Sequence, residues 1–172
     1  MNSTIITKAT TADIPVISSM AGIVFRHTYS NILTTGQVEY MMEWMYSTES
    51  LKKQLKDGHC FFLACNNNTP VGYMSIQNEG VNDEGITVFH LHKLYVMTEM
   101  KGCGVGKLLF KKACEYAKEN KKTTKARIEL NVNRFNKAKE FYLRMGMKVA
   151  REGDFAIGNG YYMNDYIMSL EI

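Results

Sequence analysis

The sequence predicts a mixed α+β protein: a mostly antiparallel, twisted sheet of about seven strands, with one parallel β-α-β crossover, flanked by about five helices. Three observations predict it. Hydrophobic periodicity gives the order β-α-α-α-β-β-β-α-β-α-β-β. The three consecutive strands in its middle are joined by short turn signals, "NNNTP" and "EGVNDEG", so they must run antiparallel. A strand, a glycine loop, a helix and a further strand then follow in "HKLYVMTEMKGCGVGKLLFKKA" and "KARIELNVN", and such a unit crosses over in parallel.

"STIITKAT" (3–10) reads as the first strand. In the segment after it, Thr11 can cap a helix, Asp13 suits the positive helix end and Pro15 is tolerated in a first turn. Ile14, Ile17, Met20, Ala21, Val24 and Phe25 recur there at helical spacing. "TTGQVEYMMEWMY" (34–46) and "TESLKKQLKDG" (48–58) read as a second and third helix, the third stopped by Gly58. "HCFFLACN" (59–66), "TPVGYMSIQN" (69–78) and "EGITVFHLHKLYVM" (84–97) read as three strands. Residues 105–120 form a helix in which Leu108, Leu109, Ala113, Tyr116 and Ala117 supply the apolar side. "KARIELNVN" (125–133) is a strand, "NKAKEFYLRMG" (136–146) a helix ended by Gly146, and two strands close the chain. No repeat, low-complexity linker or boundary interrupts the sequence, which reads as one domain over 1–172.

Composition narrows the functions. Apolar residues make up 45% and charged residues 22%, as expected of an ordinary globular protein. A net charge of +4 is too mild to argue for nucleic acid. Lys118, Lys121, Lys122 and Lys125 read as a solvated helix end, with contact to a polyphosphate as the other use. No apolar run is long enough to span a membrane, and the N-terminus lacks the basic start and apolar stretch of a signal peptide. The four cysteines form no Cys-x-x-Cys pair, which fits free thiols and a cytoplasmic location.

The loop "KGCGVG" (101–106) is the most informative stretch. A Walker loop fails, because Lys101 stands at the first glycine's place and Leu108 replaces the Mg²⁺-binding hydroxyl. A Rossmann fingerprint fails, because Lys107 stands where the third glycine belongs. A pyrophosphate site at a helix N-terminus fits better: glycines permit close approach, free N–H groups point outward, and Lys101 and Lys107 add charge. The alternative is a turn that merely starts a helix.

The wider segment "LHKLYVMTEMKGCGVGKLLFKKA" resembles the acetyl-CoA-binding segment of the GNAT N-acetyltransferase superfamily, in which an Arg or Gln, two residues and Gly-x-Gly lead into a helix. Lys101 takes the Arg/Gln place, and Gly104 and Gly106 are the two glycines. A second block, "NRFNKAKEFYLRMGM", resembles a later motif of the same family, with Ala138, Phe141, Tyr142 and Gly146 in register. Asn136 lies one residue nearer the alanine than in the family pattern, and Met147 replaces its Phe. The element order matches the GNAT fold along nearly the whole chain. The paired helices after the first strand and the ending "DFAIGNGYYMNDYIMSL" look most like PaiA-type polyamine acetyltransferases.

The resemblance implies transfer of an acetyl group from acetyl-CoA, as co-substrate, to a primary amine of a small molecule, with a polyamine as one candidate. It implies that Leu94, Tyr95 and Val96 splay from the next strand and pair with the pantetheine arm. It implies that Lys101, Gly102, Cys103, Gly104, Val105, Gly106 and Lys107 hold the pyrophosphate. Asn136 would contact the pantetheine, and Ala138 and Phe141 would pack along the cofactor. Tyr142 would protonate the departing thiolate, the alternative being a core tyrosine. His90 and His92, at i and i+2 of one strand, are candidates for the base, with Glu79 and Glu84 as alternatives; either histidine also fits a plain sheet residue. No third ligand at a recognisable spacing accompanies them, so no metal is expected. Tyr29, Glu39, Tyr40, Glu43 and Trp44, joined by Tyr161, Tyr162 and Asp165, are candidates for the acceptor cleft, where acids beside aromatics suit an alkylammonium; acids facing water on an amphipathic helix are the plainer reading. A protein N-terminus or lysine as acceptor, and a non-catalytic acyl-CoA sensor, are the alternatives. A homodimer is a further expectation from the resemblance.

Overall fold

The computed structural model describes residues 3–172. Its strands are β1 (Thr4–Lys8), β2 (Cys60–Asn66), β3 (Thr69–Val81), β4 (Thr87–Val96), β5 (Ala126–Asn133), β6 (Lys148–Gly158) and β7 (Tyr161–Glu171). Its helices are α1 (Ile14–Tyr29), α2 (Thr35–Tyr46), α3 (Thr48–Lys56), α4 (Val105–Asn120) and α5 (Ala138–Arg144). The strands form one sheet in the order β1-β2-β3-β4-β5-β7-β6. Every neighbouring pair is antiparallel except β4–β5, which is the expected parallel crossover through α4.

The local chemistry explains the boundaries. The β2–β3 turn is tight because Asn67 and Asn68 both adopt positive φ, of 48° and 63°, which asparagine tolerates. Thr34 caps α2 through the Gln37 N–H at 3.2 Å, and Ser47 caps α3 through Ser50 N–H at 3.3 Å. The first cap differs from expectation. Thr10, not Thr11, forms a reciprocal capping box with Asp13, because a short 3-10 turn at Thr11–Asp13 precedes α1. β3 runs three residues past the expected Asn78, since the hairpin turn is tightened to Asn82–Ile86 by hydrogen bonds to the Asn82 side chain.

Each sheet face buries its own core. On one, α4 and α5 pack Leu109, Phe110, Ala113, Ala117 and Tyr142 against Met74, Phe89, Ile128 and Leu130. On the other, α1–α3 pack Ile17, Phe25, Met41 and Leu51 against Phe61, Leu63 and Tyr73. Leu108 lies outside the first core and is 41% exposed, because the buried stripe of α4 runs through Val105, Leu109, Ala113 and Ala117 at four-residue steps. Leu109 is fully buried over Gly72, where a Cβ would come 3.3 Å from its Cδ1. Leu109→Ala is expected to lower unfolding free energy by about 2–5 kcal/mol, seen as a lower urea midpoint at unchanged slope.

Among the departures from regular pairing in the middle of the sheet, two border the opening between β4 and β5. Between β3 and β4 the register passes from Ser75↔Lys93 to Ile76↔Leu91, so His92 is the extra residue of a bulge. Between β4 and β5 the pairing stops at His90↔Glu129, while β5 stays paired with β7 as far as Asn133↔Asp165. The sheet therefore opens from Leu91 onward.

Candidate active site

A cleft of about 520 Å³ occupies the opening between β4 and β5. Leu94, Tyr95 and Val96 form one wall and Asn131 and Val132 the other. Because β4 has left its parallel partner, the backbone groups on this edge of Leu94–Val96 make no ladder with β5. Such an edge can offer its donors and acceptors to an extended ligand.

One end of the cleft is the start of α4. Gly102 and Gly104 have φ of 82° and 83°, a region that disfavours side chains. A Cβ built on either would meet nothing within 4 Å, so open space lies before the loop. Gly104 is the N-cap residue and no side chain caps the helix. The N–H groups of the first turn are thus left facing outward, with the positive end of the helix dipole behind them. Lys101, Lys107, Lys137 and Arg144 all line the same cleft. Four cations in a cleft that ends on an uncapped helix start suit a polyphosphate. Gly106 packs against the Phe141 ring, where a Cβ would sit at 3.5 Å.

Most of the expected acyl-donor residues come together here: Leu94, Tyr95, Val96, Lys101, Gly102, Gly104, Gly106, Lys107, Asn136, Ala138, Phe141 and Tyr142. Cys103 and Val105 do not line the cleft with their side chains; Cys103 is exposed and Val105 is 1% exposed in the core. Thr28, Met100, Asn131, Lys137 and Arg144 line it without having been singled out in the sequence. Lys137 and Arg144 bracket the Ala138–Tyr142 segment, and a search for basic residues around that block would have found them. The Lys118–Lys125 cluster lies toward the far end of α4 and contributes nothing to the lining.

Tyr142 is 8% exposed, with its ring against Phe141 at 5.2 Å and Phe110 at 6.2 Å. Burial pushes its phenol well above the ordinary value, and Tyr29 adds to the effect. Tyr29 also lines the cleft. Its phenol is raised by burial, while the neighbouring Tyr95 and Asn136 side chains pull the other way.

The histidines sit on the α1–α3 side of the sheet. His92 lines the cleft and His90 does not. The rings of His59, His92 and His90 lie in series, the first pair stacked with centroids 4.3 Å apart and the second tilted at 4.5 Å. Glu79 approaches His90 Nδ1 at 3.9 Å, whereas Glu84 pairs with Arg127 at 3.2 Å. Among the described residues no group of His, Cys, Asp or Glu side chains is arranged to hold a metal ion.

The aromatic and acidic residues of α2 lie elsewhere. Tyr40 donates to the Ile157 carbonyl at 2.8 Å and packs on Trp44 and Tyr161, which pins α2 to the β6–β7 hairpin. Glu39 makes a two-pronged ion pair with Arg26, and Glu43 and Trp44 are exposed. None of these four lines the cleft, nor do Tyr161 and Tyr162. Asp165 is near it, buried, and accepts from Asn131 Nδ2 at 3.2 Å. Burial pushes its carboxyl up, against the pull of Asn131 and Arg134.

No helix of the described residues is long and apolar enough to cross a membrane. Comparison with solved structures finds the same fold in many proteins, three of which, all of low sequence identity, serve as examples. A PaiA N-acetyltransferase of Thermoplasma acidophilum, in complex with coenzyme A, is 23% identical with a TM-score of 0.76, covering 99% of both chains. A GCN5-related N-acetyltransferase of Rhodopseudomonas palustris is 16% identical with a TM-score of 0.80, covering 100% of this chain and 98% of that one. An Arabidopsis thaliana protein bound to the bisubstrate analogue CoA-Ac-MVNAL is 15% identical with a TM-score of 0.70, covering 98% of both. An uncharacterized N-acetyltransferase of Methanocaldococcus jannaschii is 37% identical over 100 residues, 57% of this chain. The present chain spans 42% of the length of that relative. The family model for the acetyltransferase (GNAT) domain matches residues 31–170. That match covers most of the chain and every element of the cleft except α1, and the protein belongs to the GNAT acetyltransferase family.

Proposed function

We propose that this domain transfers the acetyl group of acetyl-CoA directly to a primary amine of a small molecule, with both substrates bound at once. The observation that carries the reading is the opened β4–β5 edge, which leads from an uncapped, glycine-rich helix N-terminus to the buried Tyr142. Acetyl-CoA supplies an activated acetyl thioester. The first turn of α4 and the cations Lys101, Lys107, Lys137 and Arg144 hold its phosphates. The unpaired edge of Leu94–Val96 holds the extended arm by strand-like pairing and presents donors to the thioester oxygen. Asn136 and the Phe141 ring fix the arm from the other side.

The amine nitrogen attacks the acetyl carbon as the C–S bond breaks. A proton leaves nitrogen for a base, and Tyr142 gives one to the departing sulfur. His92 is the base in this reading, since it is the histidine at the cleft; His90 stands behind it. Tyr29 borders the acceptor's approach. A structural neighbour carries a peptide-bearing bisubstrate analogue, so a peptide N-terminus is the second acceptor class.

Calorimetric titration tests the donor half. Acetyl-CoA is expected to bind at micromolar concentration, and dephospho-CoA more weakly if Lys or Arg contacts reach the ribose phosphate. Thiol release with a panel of diamines, monoamines and short peptides tests the acceptor half. Absence of binding near millimolar acetyl-CoA would remove the reading.

A further inference from the structure

Asn131 lines the cleft and is exposed there. Its neighbours Ile128, Leu130 and Val132 enter the core beneath α4 and α5. Side chains alternate along a strand, so Asn131 stands on the opposite face, the one that α1–α3 cover. Tyr29, from the core of that face, borders the same cleft.

Asp165 sits beside Asn131. Ile167 of β7 pairs with Asn131, and Asp165 pairs with Asn133, so Asp165 is the diagonal neighbour of Asn131 on one face of the sheet. Asp165 is 5% exposed. One of its oxygens accepts from Asn131 Nδ2 at 3.2 Å, and the other, Oδ1, is buried with no donor among the described residues. Arg134 acts on its charge but makes no ion pair with it; the guanidinium is held instead by Asp154 and by the Gly153 carbonyl at 3.2 Å.

This contact fixes the amide of Asn131. An ionised carboxylate only accepts, so Nδ2 must be the end turned toward β7. The carbonyl oxygen then faces the other way, toward the side from which β4 has parted. Among the described residues no group donates to it. The cleft wall thus offers an outward carbonyl with a buried negative charge behind it. A carboxylate buried with a single hydrogen bond is held at a cost. A cation brought close offsets that cost, and an alkylammonium also carries the N–H that a carbonyl accepts.

We propose that Asn131 receives the acceptor as an alkylammonium, whose N–H is accepted by Asn131 Oδ1, and that Asp165 is a positioning residue, which turns that oxygen into the cleft and places a negative charge behind it. This rests on the acetyl-transfer reading above and narrows its acceptor to amines that arrive charged. The two substrates then come from opposite faces of the sheet. The glycine loop and α5 hold the donor on one face, and Asn131 meets the amine on the other, with the opening between β4 and β5 joining them.

Two variants of the full chain test this at neutral pH, with putrescine and propylamine as acceptors. Asp165→Asn keeps the shape and removes the charge that orders the amide. It is expected to raise the KM of either amine about tenfold, with kcat and acetyl-CoA affinity moved far less. Asn131→Asp combined with Asp165→Asn rebuilds the hydrogen bond with donor and acceptor exchanged, and sets the carboxylate at the cleft itself. It is expected to return KM to within about threefold of wild type. Proton–nitrogen NMR of the Asn131 side-chain amide gives a reading independent of turnover. Putrescine should shift these resonances in the wild type and leave them in place in Asp165→Asn. An unmoved KM in Asp165→Asn would overturn the inference, as would equal losses of amine and acetyl-CoA affinity, which mark a distorted cleft. Unshifted Asn131 resonances in the wild type would overturn it too. Failure to acetylate any amine would instead remove the functional reading, and the resonances would still decide whether an alkylammonium binds at Asn131.

Discussion

Replacing Gly104 with Asp is expected to abolish acetyl-CoA binding while leaving the protein folded. Gly104 is the uncapped N-cap residue of α4, with φ of 83° and open space before it. A side chain at this φ is strained by about 1–2 kcal/mol, and Asp is among the residues that tolerate it best. Asp also suits a helix N-terminus, where its charge faces the positive end of the dipole. The fold therefore loses little. The ligand loses much, because the carboxylate fills the space where a phosphate would lie and puts like charge against it. A fall of at least about 100-fold in affinity, near 3 kcal/mol, is expected by calorimetry. Gly104→Ala adds the strain without the charge and should bind more weakly by about tenfold or less. Equal affinities for Gly104→Asp and wild type would mean that the loop is only a turn, and that the donor binds elsewhere.

The same loop shows what the sequence made legible and why. Glycine spacing after a strand restricts backbone conformation, and that is a local property a sequence displays directly. So are the asparagine pair of the β2–β3 turn and the four-residue apolar steps of α4. The parallel crossover followed from topology, since a strand, a helix and a strand leave few ways to pack. The Leu108 misplacement has the opposite origin: periodicity gives a helix an apolar side, but only the packed sheet decides where its edge falls. The burial of Lys93, which is 6% exposed, was illegible for a stronger reason. In "HLHKLYV" it looks like a strand's solvent-facing charge. The bulge at His92 shifts the alternation by one residue and turns Lys93 under the helices, and a bulge has no signature in the sequence here. Likewise Tyr40, Glu43 and Trp44 have the chemistry of an amine site, but α2 presents them to the β6–β7 hairpin and to solvent. Their residue types were readable and their direction was not.

Tyr142→Phe is expected to lower kcat by about 100-fold or more, with acetyl-CoA affinity almost unchanged. The substitution keeps the ring that packs on Phe110 and Phe141, so the cleft wall and the core beside it persist. Only the hydroxyl goes. Burial raises this phenol well above its ordinary value, so it stays protonated across the working pH range and is always ready to donate. Its own ionisation should therefore place no alkaline limb on the rate near neutrality. An acid of this kind matters in proportion to the basicity of the leaving sulfur. With an alkyl thioester the departing thiolate is basic, and loss of the donor should be felt in full. With an acetyl thioester of a more acidic aryl thiol the thiolate can leave unassisted, and the wild-type and variant rates should converge. That convergence separates proton donation from packing, because a cleft distorted by the mutation would slow both donors alike. Equal turnover of the variant with acetyl-CoA itself would return Tyr142 to the core as a structural tyrosine.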